Sequence, residues 1–122
     1  MADEITLTAS LAIGATNFRE SFQPGTISID LASTAGAGGA QTIGTTYEAV
    51  AKGDTTDGGV FFVRNLDETN FVEVGIEHSG STFVAFLKLL PGEYSVGRLA
   101  SATIYAKADT APVNLQYRML SP

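Results

Sequence analysis

The chain has 122 residues, 44% of them apolar and 16% charged, a composition that is typical of a folded domain and excludes an intrinsically disordered protein. Thirteen acidic against seven basic residues give a net charge of −6, so nucleic acid and anionic membranes are not expected as partners, because both bind basic surfaces. No cysteine is present, which excludes disulfides, thiolate nucleophiles and thiolate metal sites.

The first thirty residues show the apolar–polar alternation of strands that bury one face. Residues 5–13, 18–22 and 27–31 are therefore predicted to be extended. Pro24-Gly25 is a strong turn pair and predicts a turn between the last two segments. The chain begins Met-Ala-Asp-Glu, without the basic and apolar regions of a secretory signal, so we expect synthesis in the cytoplasm.

Residues 33–46 begin with Ser-Thr-Ala-Gly-Ala-Gly-Gly-Ala, which has no periodicity and few side chains to pack. This composition predicts a flexible, exposed loop, although residues 41–50 could form a strand or an edge segment. The alternative is an arm or β-tongue that becomes ordered only against a neighbouring subunit. Residues 1–11, which are small and poorly anchored, are predicted to form an N-terminal arm.

From residue 58 onwards, short apolar segments alternate with polar or Gly/Pro turns. The clearest segment is 113–120, where Val113 and Leu115 alternate with Asn114 and Gln116. Turn signals at intervals of about ten residues are typical of an antiparallel sandwich or barrel. We therefore predict an all-β fold, a single antiparallel β-sandwich domain over residues 1–122 that is jelly-roll-like or immunoglobulin-like. It should have eight to ten short strands, with those of this half at 60–63, 71–77, 83–90, 93–99, 102–106 and 113–120.

Side chains capable of covalent chemistry are scarce. His78 is the only histidine, and its neighbours in sequence give no sign of the converging groups that a catalytic triad needs, so we interpret it as a turn residue. Asp54, Asp57, Asp67 and Glu68 form the best carboxylate cluster, but their spacing is not that of a calcium-binding loop, and turn formation explains them. We expect no enzymatic activity, no metal and no cofactor.

Two segments are apolar on both faces of the predicted strand. In 83–90, Val84 and Phe86 lie on one face of the strand, and Phe83 and Leu87 lie on the other. The second segment is the apolar run at 60–63, which includes Phe61. Such a strand is either central to the sandwich or has one face against another subunit. Arg98 lies among apolar neighbours, and arginine is well suited to an interfacial ion pair.

Three stretches carry a resemblance to a known class of proteins. They are Gly-Val-Phe-Phe-Val-Arg-Asn-Leu-Asp at 59–67, Asn-Phe-Val-Glu-Val-Gly at 70–75, and Ala-Thr-Ile-Tyr-Ala-Lys-Ala at 102–108 followed by Leu-Gln-Tyr at 115–117. A Leu-Pro-Gly-Glu turn at 90–93 lies between them. Residues 58–120 thus resemble small β-rich structural proteins encoded among the virion genes of tailed bacteriophages.

The resemblance implies a non-enzymatic capsid decoration or cement protein, made in the host cytoplasm and located on the capsid surface of the virion. Its expected partners are the major capsid protein and further copies of itself in a homotrimer. We expect the partner interface to include Ile5, Leu7, Ala37, Gly38, Phe61, Phe86 and Arg98. The alternatives are a tail, head-fibre or baseplate subunit, and a carbohydrate-binding module that uses Tyr47, Tyr94 or Tyr105.

Overall fold

A computed structural model of the chain describes residues 4–30, 36–53, 59–100 and 103–120. These residues form ten strands and no helix, which confirms the predicted all-β fold and the number of strands. Accordingly, the described residues include no helix with the length and apolarity that crossing a membrane requires. The strands are β1 (Ile5–Ala15), β2 (Phe18–Ile29), β3 (Gly36–Ile43), β4 (Glu48–Ala49), β5 (Val60–Asn65), β6 (Val72–His78), β7 (Thr82–Leu89), β8 (Tyr94–Arg98), β9 (Tyr105–Ala108) and β10 (Val113–Leu120).

The chain forms two compact units, one made of the described residues up to 30 and the other of those from 36 to 120. The predicted single domain over residues 1–122 includes an arm at 1–11 and a first strand at 5–13. From residue 5 onwards this segment is strand β1, which confirms the predicted strand and pairs with β2 in an antiparallel hairpin. Residues 1–3 lie outside the described residues. The strand continues because its alternation extends beyond residue 11 to residue 15.

The turn predicted at Pro24-Gly25 is wrong, because both residues lie inside β2. The register shifts there, since Ala9 lies opposite Gly25 whereas Leu11 lies opposite Phe22. Two residues of β2 therefore face one of β1, which is a β-bulge. A bulge accommodates proline within a strand because the residue without an N–H falls where the ladder is already interrupted.

The second unit consists of two four-stranded antiparallel sheets with the orders β3-β10-β5-β8 and β4-β9-β6-β7. Within these sheets β6 pairs with β7, β5 with β8, β4 with β9 and β3 with β10, so the pairs are nested around the β6–β7 hairpin. An eight-stranded ribbon of nested pairs folded into two sheets is a jelly roll. Of the two predicted sandwich types, the strand order therefore supports the jelly roll.

The core lies between these two sheets and follows the predicted alternation. In β10, Val113, Leu115 and Met119 are buried, whereas Asn114 and Gln116 are exposed. The buried cluster draws on both sheets and on the segments between them: Ile43, Val50, Phe61, Val63, Val72, Val74, Leu89, Leu99, Ile104, Ala106, Ala108, Val113, Leu115 and Met119.

The flexible loop predicted over residues 33–46 is wrong for most of that range. Residues 36–43 form strand β3, and each of them pairs with a residue of β10. A glycine-rich strand has little side chain to bury, so its order comes from this backbone ladder and from the β10 side chains beside it. The sequence contains no local signal of that ladder, because the partner strand is at the other end of the unit. Residues 33–35 are outside the described residues.

Candidate functional site

The β1–β2 hairpin has one apolar face. Side chains of directly opposed residues point to the same side of a sheet, and Leu11 lies opposite Phe22, Leu7 opposite Ile27 and Ala15 opposite Phe18. We define the hairpin face as these side chains together with the others on the same side. Its members are Ile5, Leu7, Ala9, Leu11, Ile13, Ala15, Phe18, Phe22, Ile27 and Ile29, and Glu20, opposite Ile13, is the charged residue among them.

Much of the hairpin face is open to solvent in the folded chain. Leu11 is 60% exposed, and Phe18, Phe22 and Ile27 are each 55–56% exposed. A two-stranded hairpin is at best marginally stable unless its apolar face is covered, and contiguous exposed apolar surface marks sites of interaction. The hairpin face is therefore the strongest candidate for a partner interface.

The opposite face of the hairpin is polar. It carries Thr6, Thr8, Thr26 and Ser28, and the Thr8 and Thr26 hydroxyls are hydrogen-bonded to each other at 3.0 Å. This contrast gives the hairpin two chemically different sides, so a partner of apolar character would bind one side only.

The seven residues predicted for the partner interface fall in three places. Ile5 and Leu7 lie on the hairpin face, the first buried and the second half-buried. Ala37 and Gly38 lie in β3, half-buried and exposed respectively. The structure brings the other three together at one end of the sandwich, where Phe61, Phe86 and Arg98 line a cavity of about 330 Å³ with Ile76, Leu99, Ala100 and Ile104.

The cavity accounts for one apolar side chain of β7, that of Phe86. β7 is the edge strand of its sheet, so the alternative of a central strand is wrong. The register shifts between Val74 opposite Leu87 and Gly75 opposite Ala85, which makes Phe86 the extra residue of a bulge. A bulge redirects its side chain, and Phe86 lines the cavity while remaining 52% exposed. Phe61, by contrast, belongs to the buried core.

Three aromatic side chains and a carboxylate form a cluster on the β4-β9-β6-β7 sheet. The Tyr47 ring stacks on Phe83, with centroids 5.5 Å apart, and meets Tyr105 edge to face at 5.8 Å. The Tyr47 hydroxyl donates to Glu77 Oε2 at 2.9 Å, and this hydrogen bond raises the pKa of Tyr47. Tyr47 and Tyr105 are half-buried, whereas Tyr94, the third tyrosine considered for glycan binding, is 66% exposed.

His78 is the last residue of β6 and is exposed. Ser79 and Gly80 follow it with φ of 53° and 75°, and the Ser81 N–H donates to the His78 carbonyl. Two consecutive positive φ values are those of a type I′ hairpin turn. The position of His78 is therefore explained by the turn, as the sequence predicted.

Of the predicted carboxylate cluster, Asp54 and Asp57 lie outside the described residues. Asp67 accepts hydrogen bonds at Oδ2 from the backbone N–H groups of Thr69, at 2.9 Å, and Asn70, at 2.6 Å. Within the described ranges, no three histidine, aspartate or glutamate side chains are grouped in a way that could hold a metal ion.

The Asp67 interactions predict a dependence of stability on pH. The hydrogen bonds from Asn70 and Thr69 lower the pKa of Asp67, so its ionised form stabilises the folded loop. This stabilisation is present above the pKa of a free aspartate, about 3.9, and is lost as the pH falls through the lower pKa of the folded state. Asp67→Ala should therefore be less stable than the parent chain at pH 7, and the difference should narrow towards pH 2. Urea unfolding at several pH values measures it, and a difference independent of pH would contradict the assignment.

Comparison of the chain with protein-family models, with curated proteins and with solved structures finds no match.

Proposed function

We propose that the chain is a non-enzymatic structural protein of a tailed-bacteriophage virion. In this proposal it is a capsid decoration protein that binds the major capsid protein on the outer shell through the hairpin face. The observation that carries the proposal is the exposure of Leu11, Phe18, Phe22 and Ile27 on one side of a hairpin that forms its own compact unit. The resemblance of residues 58–120 to phage virion proteins supplies the class. The jelly roll, which is frequent in viral capsid proteins and lectins, agrees by analogy of fold only.

The energetics suit a protein that acts in many copies. Full burial of a large apolar side chain contributes about 1.5–3 kcal/mol, so burying the exposed half of one contributes about 1 kcal/mol. Four such side chains give a modest affinity for each copy, after the free energy lost in association is subtracted. Assembly as a homotrimer, the oligomer that the resemblance implies, would join three hairpin faces and increase the avidity for a symmetric shell.

The number of copies in purified particles of the phage that encodes the chain tests whether it is a capsid decoration protein or another virion component. Quantitative mass spectrometry against the major capsid protein should give a near-stoichiometric or one-to-few ratio. A handful of copies would indicate a tail, head-fibre or baseplate subunit instead. Absence from the particles would refute the virion assignment.

The docking surface is tested by a double variant. Leu11→Ser with Phe22→Ser removes a cross-strand apolar pair from the hairpin face and should reduce binding by about 2 kcal/mol, or roughly 30-fold in Kd. Co-sedimentation of the purified protein with particles stripped of it measures this loss. Thr8→Ala with Thr26→Ala is the matched control, because it alters a cross-strand pair on the polar side of the same hairpin. Equal losses in the two double variants would show that the hairpin face is not the docking surface.

A further inference from the structure

The outward side of the β3-β10-β5-β8 sheet carries a shallow groove that the proposed capsid docking does not use. It has a volume of about 430 Å³, within the range of sites for small ligands. Phe62, Leu66, Gln116 and Arg118 line it. Gly39 and Ala40 of β3 also line it and have little or no side chain.

The sheet register places the polar groups of this groove side by side. Arg118 of β10 lies opposite Phe62 of β5 and opposite Gly38 of β3. A Cβ at Gly38 would lie 2.9 Å from Arg118 Cδ and 3.0 Å from Nε. The arginine side chain therefore lies along the glycine strand, in space that any other residue would occupy. Gly38, predicted to lie in a flexible loop, leaves room here for the side chain of a cation.

The charge of this sheet is opposite to that of the chain. Its four strands contain three of the four arginines, Arg64, Arg98 and Arg118, and no aspartate or glutamate. The net charge of the chain is −6. Arg64 donates to the Gly92 carbonyl at 3.2 Å, whereas the Arg118 guanidinium has no hydrogen-bond or ion-pair partner among the described residues. The Arg118 guanidinium is therefore available to bind an anion in this groove.

Aromatic surface adjoins the cation. Phe62 stacks with Tyr94, with centroids 5.9 Å apart and an interplanar angle of 30°, and Tyr94 is 66% exposed. Gln116 adds an amide that can both donate to and accept from hydroxyl groups. An aromatic face, an amide and a free guanidinium correspond to the apolar ring face, the hydroxyls and the carboxylate of an acidic sugar.

We propose that this groove binds a carboxylated sugar, with Arg118 holding the carboxylate, Gln116 the hydroxyls and Phe62 with Tyr94 the ring. The site lies in the jelly-roll unit, whereas the proposed docking surface lies in the hairpin unit. Loss of one activity would therefore leave the other intact, and the two proposals can fail separately.

Calorimetric titration of the full chain tests the site with four probes. Two are carboxylated, a galacturonate hexamer and a hyaluronan hexasaccharide; one is neutral, an N-acetylglucosamine hexamer; and one is an acidic peptide, hexaglutamate. We expect at least one carboxylated sugar to bind, and both the neutral sugar and the peptide to bind about tenfold more weakly or not at all. Binding of neither carboxylated sugar would overturn the proposal. Equal binding of hexaglutamate would also overturn it, in favour of an acidic protein surface.

Variants then distinguish binding at this site from a nonspecific effect of positive charge. Arg118→Gln should weaken binding of the carboxylated sugar about tenfold or more, because it removes a charged, bidentate hydrogen-bond donor. Gly38→Ala should also weaken it, by displacing the arginine. Arg19→Gln is the matched control, since it makes the same change of charge in β2 of the other unit. A loss for Arg19→Gln as large as that for Arg118→Gln would refute a specific site, and urea unfolding of each variant verifies that it is folded.

Discussion

Gly75→Ala is expected to destabilise the jelly roll by about 4 kcal/mol or more, or to prevent it from folding. A Cβ at Gly75 would collide with the Val84 carbonyl oxygen and would lie 2.7 Å from Ala85 Cα. Both are backbone atoms of β7, which cannot rotate away as the end of a side chain can. The close approach arises at the bulge that makes Phe86 an extra residue, so relief of the collision would require β7 to move.

Urea unfolding followed by far-UV circular dichroism measures this effect. Gly14→Ala is the matched control, because a Cβ at Gly14 meets nothing within 4 Å and should change stability by less than about 1 kcal/mol. A Gly75→Ala variant as stable as Gly14→Ala would show that β7 does not pack against Gly75 as described. If Gly75→Ala folds with a displaced β7, the exposure of Phe86 at the end cavity should change as well.

Asn65→Ala should cost about 3 kcal/mol or more, because it leaves three buried or partly buried backbone groups without partners. Asn65 is fully buried. Its Nδ2 donates to the Asn70 carbonyl at 2.8 Å and to the Leu89 carbonyl at 3.0 Å, and its Oδ1 accepts from the Asp67 N–H at 2.8 Å. This one side chain therefore ties β5 to the loop that follows it and to the end of β7.

Asn114→Ala is the control for Asn65→Ala. Asn114 lies in β10 of the same sheet, and its Oδ1 accepts one exposed hydrogen bond from Thr42 at 2.9 Å, so its loss should change stability by no more than about 0.5 kcal/mol. Equal destabilisation by the two substitutions in urea unfolding would contradict the role given to Asn65. Asn65→Asp should also be destabilising near pH 7, because a carboxylate cannot donate to the Asn70 and Leu89 carbonyls.

The two substitutions also bear on the candidate surfaces. Gly75 positions the bulge that places Phe86 at the end cavity, and Asn65 immediately precedes Leu66, which lines the groove beside Phe62. Effects of Gly75 or Asn65 variants on ligand binding should therefore be interpreted only with their stability measured. Arg118 and Leu11 are better probes of function, because both side chains are exposed.

The sequence predicted several residues of the candidate surfaces individually, but it did not predict which of them lie together. The apolar alternation of residues 5–13 indicated a strand, and Ile5 and Leu7 were predicted to contact a partner. They share one apolar face with Phe18 and Phe22 because of the hairpin register. The sequence did not predict this register, because Pro24-Gly25 was assigned to a turn. Likewise, Arg98 and Phe61 were singled out separately, whereas Arg118 was not singled out as a site residue. A lone arginine in an alternating strand carries no signal until the strand facing it is known.

The sequence by itself determined the all-β class, a count of eight to ten strands and the buried side of the clearest of them, such as β10. These properties follow from an alternation of period two, which is local and can be read within a few residues. Only the tertiary structure decided the nested order of the strands, the ordering of β3 and the grouping of Arg118 with Phe62 and Gly38. These depend on pairing between distant segments, such as Gly36 with Leu120. A ladder of backbone hydrogen bonds uses atoms that every residue except proline possesses, so its partners leave no local mark in the sequence.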